Sequence, residues 1–194
     1  MPRKAHRQHA SFFRRVEDIG IFLVEFCKHP RRIGVPTQSP RSIAVTVREE
    51  LQARGARRVV ELGGGLGVLT SGILEALPPD AKLLCLEREP AFCRRLAKRF
   101  DGRVELINVD ALELPRILPG TQWEHPDAIV CSVPLVGDFA TQLCGMIAET
   151  LPKGGLYLQV TNFKAPIEVF FEVEKTYAYL DSIPIEHLYR SVHK

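Results

Sequence analysis

The stretch Val59-Val-Glu-Leu-Gly-Gly-Gly-Leu-Gly67, running into Val68-Leu-Thr-Ser-Gly-Ile-Leu74, constrains the fold more than any other part of the chain. An apolar run that breaks into closely spaced glycines and resumes with helical periodicity reads as a strand, a tight turn and a helix. Glycine lets the backbone turn sharply and approach a ligand with no Cβ in the way. The plainer reading is a turn that only packs strand against helix.

Further short apolar runs alternate with helical stretches after Gly55. Candidate strands are Arg58–Leu62, Lys82–Glu87, Val104–Asn108, Ala128–Ser132 and Gly155–Thr161. Helices fit near Gly67–Leu77, Pro90–Arg99 and Phe139–Thr150, and an earlier one carries Ile43, Val47 and Leu51 behind a Ser39-Pro40 cap. Near-continuous apolar strands joined by helices imply a parallel sheet covered on both faces. Thr176–Leu180 and His187–His193 follow each other across Ser182-Ile-Pro184 without a helix between them, so one strand there is antiparallel. The expected fold is α/β, a doubly wound, mostly parallel seven-stranded sheet with an antiparallel C-terminal strand pair.

The loop chemistry narrows the ligand. A dinucleotide fingerprint G-x-G-x-x-G needs its third glycine at position 68 when the first two are Gly63 and Gly65, but 68 is Val and the glycine comes early, at Gly67. Glu61 precedes the loop by two. A carboxylate there repels a pyrophosphate and suits a ligand bearing an ammonium and a sulfonium, which favours S-adenosylmethionine over NAD. Glu87, 20 residues beyond Gly67, closes the second strand where a carboxylate can accept from both ribose hydroxyls. Asp110 closes the third and can accept the adenine amino group, with small Ala111 leaving space for the ring. Any one of these acids alone reads as a surface charge. Three at successive strand ends face one carboxyl edge, where open α/β sheets bind ligands.

From Glu61 to the C-terminus the pattern resembles class I methyltransferases of Rossmann-like fold. Adenine N6-methyltransferases, including ribosomal RNA adenine dimethylases, carry an Asn or Asp, then x-Pro and an aromatic at the fourth strand's end, where the aromatic stacks on the flipped base. Here the tetrapeptide is Ser132-Val-Pro-Leu135, and the chain ends soon after its last strand, where the RNA family adds a helical domain. The chain is more similar to bacterial phospholipid N-methyltransferases. That resemblance covers His29-Pro-Arg-Arg-Ile-Gly34, Val35-Pro-Thr-Gln-Ser-Pro40, the glycine loop, Asp110-Ala111, Val133-Pro-Leu135 and Ile183-Pro-Ile-Glu-His-Leu-Tyr-Arg190. Ser132-Val-Pro-Leu departs slightly from that family's usual Gly-Leu-Pro-Leu.

The resemblance implies methylation of phosphatidylethanolamine towards phosphatidylcholine, with S-adenosyl-L-homocysteine as the other product. The expected cofactor contacts are Glu61, Gly63, Gly65, Gly67, Glu87, Asp110, Ala111 and Ser132, with Thr37 and Ser39 closing from the linker. Val133, Pro134 and Leu135 would shape the acceptor pocket. The acceptor amine must lose a proton before it attacks, and Asp138, Tyr157 and His187 are unranked candidates to take it. No metal is expected.

Charge is concentrated at one end. Residues 1–32 carry eight basic and three acidic side chains, so a net charge of +3 divides into +5 there and −2 elsewhere. Apolar Phe12, Phe13, Val16, Ile19, Leu23 and Phe26, with Arg14 and Arg15, describe an amphipathic helix that could lie in an anionic bilayer interface or pack on the domain's own core. The expected organisation is a basic helical segment at 1–33 and a catalytic domain at 34–194. No run approaches the roughly 20 apolar residues needed to span a bilayer, and no signal-peptide pattern is present. With five scattered cysteines and no C-x-x-C pair, we expect a cytoplasmic protein without disulfides, held peripherally at the membrane. A lipid partner is favoured over nucleic acid, and no obligate protein partner is implied. The competing readings are an RNA methyltransferase gripping phosphates with the basic segment and a cofactor-binding adaptor without catalysis.

Overall fold

In the computed structural model, residues 40–100, 102–182 and 184–194 are described. The expected helix at Phe12–Phe26, and Thr37 and Ser39, lie outside them. The main unit spans Ser39–Lys194. Its elements run α1 (Arg41–Arg54), β1 (Val59–Leu62), α2 (Val68–Ala76), β2 (Leu83–Leu86), α3 (Pro90–Arg99), β3 (Val104–Ile107), a 3₁₀ turn at Ala111–Glu113, α4 (Leu114–Ile117), β4 (Ala128–Cys131), α5 (Gly137–Thr150), β5 (Leu156–Thr161), α6 (Ile167–Phe170), β6 (Phe171–Tyr179) and β7 (Glu186–His193). The strands form one seven-stranded sheet in the order β3-β2-β1-β4-β5-β7-β6. β1 to β5 are parallel, and β7 lies antiparallel between β5 and β6. This is the doubly wound methyltransferase arrangement expected from the sequence.

The central strands are apolar throughout because both faces are covered. Every residue of β1, β2 and β4 is buried. Successive side chains alternate across the sheet. Val59, Leu83 and Val130 therefore pack with Ile43, Val47 and Leu51 of α1 and with Leu69 and Ile73 of α2. Val60, Leu62, Ile129 and Cys131 pack on the other face with Trp123 and with Leu143 and Ile147 of α5. Glu61 shares the parity of Val59, so it points to the α2 face. In register, Glu61 lies between Cys85 of β2 and Val130 of β4. From β1 the chain winds outward through β2 and β3, then returns to place β4 on β1's other side. The carboxyl ends of β1 and β4 therefore flank the topological switch point.

Three local expectations are corrected. The helix α1 begins at Arg41, with Pro40 at the N-cap and no side-chain cap bond, so the expected Ser39-Pro40 start is shifted by one residue. The outer strand β6 starts at Phe171, not Thr176. As an edge strand it exposes Glu172, Glu174 and Lys175 and bulges between Val173 and Lys175, which masks its alternation. The short helices α4 and α6, four residues each, were not expected.

Candidate active site

The glycine loop leaves β1 with the Gly63 N–H donating to the Leu86 carbonyl at 2.9 Å, which anchors its first residue to the neighbouring strand. Gly67 is the N-cap of α2 in the left-handed region, at φ 83°. A Cβ there would stand 2.6 Å from the Phe100 ring and 3.0 Å from Leu96. Backbone conformation and packing on α3 therefore both demand glycine. Gly65 is different: its φ is 51°, yet a Cβ there would meet nothing within 4 Å. Packing does not explain that glycine, and its open side is where a ligand could approach the main chain. Gly64, which sequence reasoning left out, sits over Cys85 and Leu96 at 2.6 and 2.7 Å from an added Cβ.

Glu61 is fully buried. Its Oε2 accepts from the Thr70 hydroxyl at 2.8 Å, which ties β1 to the first turns of α2. Its Oε1 has no hydrogen-bond partner in the protein. Burial, opposed by the Thr70 bond, pushes the carboxyl up to about 7. The Cys85 thiol, its neighbour on β2, is itself raised by burial and then by Glu61, and a thiol is a weak donor in any case. An unpartnered carboxylate oxygen at the root of a glycine loop is a seat for a cation.

Glu87 follows β2 directly and is also buried. Its Oε2 accepts the Gly65 N–H and its Oε1 the Glu89 N–H, both at 2.8 Å. Burial raises its carboxyl, against the pull of these two N–H groups. The same carboxylate thus braces the loop from beneath and keeps spare lone pairs for hydroxyl donors. Asn108 donates to the Glu87 carbonyl at 2.8 Å and ties the end of β3 to β2. Asp110 caps the 3₁₀ turn by accepting the Leu112 N–H at 3.1 Å, and its other oxygen lies 3.4 Å from Arg88. Ala111 beside it is buried. On the far side of the loop the Ser132 hydroxyl donates to the Gly63 carbonyl at 2.6 Å and closes the β1–β4 switch point.

Asp110, Glu87, the loop after Glu61, and Ser132 therefore stand in sequence along one carboxyl edge from β3 to β4, about 4.8 Å per strand. This set fits a cationic, ribose-bearing ligand: an orphaned buried carboxylate oxygen for an ammonium, open main chain at Gly65, and carboxylates for hydroxyl and amino donors.

The acceptor side differs from expectation at two residues. Tyr157 is fully buried in the core beneath Phe171, with its hydroxyl donated to Gln159, so it cannot meet a substrate amine. It stands second in β5, whose six residues are all buried, four positions before the carboxyl end at Thr161. Leu135 is buried in the core on the α5 face and does not line an open pocket. Val133 and Pro134 remain half-buried at the edge. Asp138 is exposed in the first turn of α5, just beyond them. His187 pairs with Thr161 at the carboxyl end of β5, further along the sheet. Gln159, unnoticed in the sequence, is buried and donates to the carbonyl of Val133 at 3.3 Å, holding the acceptor tetrapeptide's backbone. A polar residue inside the apolar run Leu156–Val160 was the signal for it.

A cavity of about 630 Å³ opens at the opposite, amino edge, lined by Arg54, Arg57, Arg58, Lys153 and Asp127. Arg57 and Arg58 are already paired there with Asp80 and Asp127. The strand length separates it from the glycine loop.

No family model matches the chain. It is 29% identical over 161 residues to an ornithine lipid N-methyltransferase of Singulisphaera acidiphila, covering 80% of this chain and 84% of that one. Ribosomal RNA small subunit methyltransferase H of Acidithiobacillus ferrooxidans is 32% identical over 91 residues, but that match covers 46% of this chain and 28% of the relative. Among solved structures, an O-methyltransferase from Bacillus cereus in complex with SAH superposes with a TM-score of 0.68 at 14% identity, over 81% of this chain and 83% of that one.

Proposed function

We propose that the chain is a class I S-adenosylmethionine-dependent methyltransferase whose methyl acceptor is the headgroup amine of a membrane lipid. It acts as an N-methyltransferase. Phosphatidylethanolamine, methylated towards phosphatidylcholine, is the acceptor we favour. The observation that carries this reading is the span of the likeness. The lipid-methylating relative matches four-fifths of both chains, whereas the ribosomal RNA relative matches less than half of this one. The tetrapeptide supports it: Ser132 at the edge and core-buried Leu135 occupy the positions where the adenine N6-methyltransferase pattern has an amide or acid and an aromatic.

Bound at this edge, S-adenosylmethionine supplies a methyl carbon made electrophilic by its sulfonium. Glu61 would hold the ammonium through Oε1, and the backbone of Gly63, Gly65 and Gly67 allows the close approach. Glu87 would accept from the ribose hydroxyls with the lone pairs its two backbone bonds leave free. Asp110 and Ala111 would take the adenine. Ser132, fixed to Gly63, sets where Val133 and Pro134 stand, and Gln159 holds the Val133 carbonyl from the β5 side. An ammonium acceptor must be neutral to attack, and desolvation at this edge lowers an amine's pKa. We take Asp138, exposed in the helical turn after the tetrapeptide, as the candidate to receive the proton, with His187 at the carboxyl end of β5 as the alternative. Direct displacement needs no covalent protein intermediate, so alignment and exclusion of water do the work. In this reading residues 12–26 hold the enzyme peripherally at the cytoplasmic face of an anionic membrane.

Incubation with methyl-labelled cofactor and, separately, phosphatidylethanolamine vesicles, ornithine lipid vesicles and ribosomal RNA tests the acceptor. Label in a lipid is expected, and label in RNA alone overturns the proposal. Flotation with anionic liposomes should be lost on removal of residues 1–28.

A further inference from the structure

Six large apolar side chains stand in solvent among the described residues: Val45, Val136, Phe163, Val169, Leu180 and Ile185. Scattered singly they would mean little. Four of them share one place in the fold. Val136 follows β4 and opens α5, Phe163 follows β5, Leu180 follows β6, and Ile185 precedes β7. Because β4, β5 and β6 run the same way and β7 the opposite way, all four positions fall on the carboxyl edge. They occupy its β4-to-β6 half, three strand spacings or about 15 Å long, adjoining the half that holds the glycine loop.

Phe163, Leu180 and Ile185 stand on bonded turns. In the β6–β7 hairpin the Ser182 hydroxyl donates to the Tyr179 carbonyl and accepts the Glu186 N–H, both at 2.8 Å. Asn162 donates to the carbonyls of Pro184 and Ile185 at 3.1 Å, joining the Phe163 loop to the hairpin. The Thr161 hydroxyl accepts the Phe163 N–H at 3.0 Å. With Leu180 82% exposed on a braced turn, its exposure is built into the backbone.

We propose that this rim, Val136, Phe163, Leu180 and Ile185, is a second membrane contact that seats the mouth of the site against the lipid headgroups. The choice of a lipid surface as occupant rests on the lipid-acceptor reading and on where the chain enters the domain. The Ser42 hydroxyl donates to Asp181 at 2.9 Å, so the start of α1 lies at the hairpin tip. The described chain therefore begins at this same rim, and in the sequence residues 1–32 ahead of it carry +5 of charge. Attraction to an anionic surface comes from that segment, since on the rim itself Lys164 and Arg41 are offset by Asp138 and Asp181. Apolar insertion comes from the rim. Peripheral binding strengthens with both buried apolar area and attraction to anionic lipids.

The test uses the full chain and vesicles of mixed phosphatidylethanolamine and phosphatidylglycerol. Leu180→Ser combined with Ile185→Ser should weaken vesicle partition at least about tenfold, and Phe163→Ser should weaken it from a separate connection. Val169→Ser, exposed but off the rim, should not. Calorimetric cofactor affinity should stay unchanged in all of them, as should methyl transfer to short-chain phosphatidylethanolamine dispersed in detergent. Partition of the double variant equal to wild type overturns the proposal. So does a wild-type dimer that the double variant converts to monomer, which would make the rim a contact between copies. If wild type methylates no lipid, the acceptor assignment fails by itself, and vesicle partition still decides the rim.

Discussion

Replacing Glu61 by Gln should make the cofactor-free protein more stable and the enzyme worse. The carboxyl is fully buried, with one oxygen on Thr70 and the other unpartnered, and burial lifts it from its ordinary 4.5 to about 7. Between those values the folded protein holds a proton that the unfolded chain releases, so stability falls as pH rises through this window and levels off above it. A gap of that size amounts to about 3 kcal/mol lost at pH 8, and about 1 kcal/mol at pH 5. Gln keeps the shape, can still accept from Thr70 and does not ionise. Urea denaturation of ligand-free wild type and Glu61→Gln at pH 5 and pH 8 should show the variant gaining about 2 kcal/mol on wild type across the interval. Glu87, also raised by burial, contributes a slope of the same sign to both proteins, and its repulsion of Glu61 is part of what the variant removes. The cofactor's ammonium should reverse the balance by favouring the ionised form. Wild-type binding near pH 7 should then release about half a proton, visible as a buffer-dependent calorimetric enthalpy, and Glu61→Gln should release none while binding weakly. A stability difference that does not grow with pH would refute the reasoning, as would full affinity in the variant.

Gly67→Ala should cost about 3 kcal/mol in urea denaturation, because a left-handed residue gains a Cβ that strikes Phe100 and Leu96. Gly65→Ala has open space around it, so it should cost only about 1 kcal/mol while cofactor affinity by calorimetry falls much further. Glu87→Ala should weaken cofactor binding at least about tenfold, and unchanged affinity would remove Glu87 from the ribose. Ser132→Ala loses the bond to the Gly63 carbonyl and should cost about 1 kcal/mol of stability, with a larger fall in kcat/KM if that bond positions the acceptor edge.

The inner sheet could be read from the chain because burial on both faces leaves its strands almost no polar residue. The strand β6 could not be read in the same way. It lies at the sheet's edge, and Glu172, Glu174 and Lys175 face water, so its sequence resembles a charged connection until pairing with β7 is known. The short α4 and α6 carry too few residues for a period to show. Tyr157 illustrates a different limit. Its residue type suits proton transfer, but it lies early in a strand covered on both faces, with its hydroxyl donated to Gln159.

The cofactor edge was legible because its parts are local: an acid two residues before a glycine loop, and acids where apolar runs stop. What the sequence does not express is how those parts act on one another, since that depends on register. Pairing of Glu61 with Cys85 across β1 and β2 sets the thiol's residue beside the carboxyl, and the helical turn after Gly67 brings Thr70 to Oε2 and leaves Oε1 unpartnered. The same register carries Glu87 beneath Gly65, so the residue assigned to the ribose also shapes the loop. Loss of Glu87 should therefore disturb two contacts at once. Its effect on affinity should exceed that of removing the ribose hydroxyls from the ligand, and a double-mutant comparison of Glu87→Ala with deoxy analogues of the cofactor would separate the two parts.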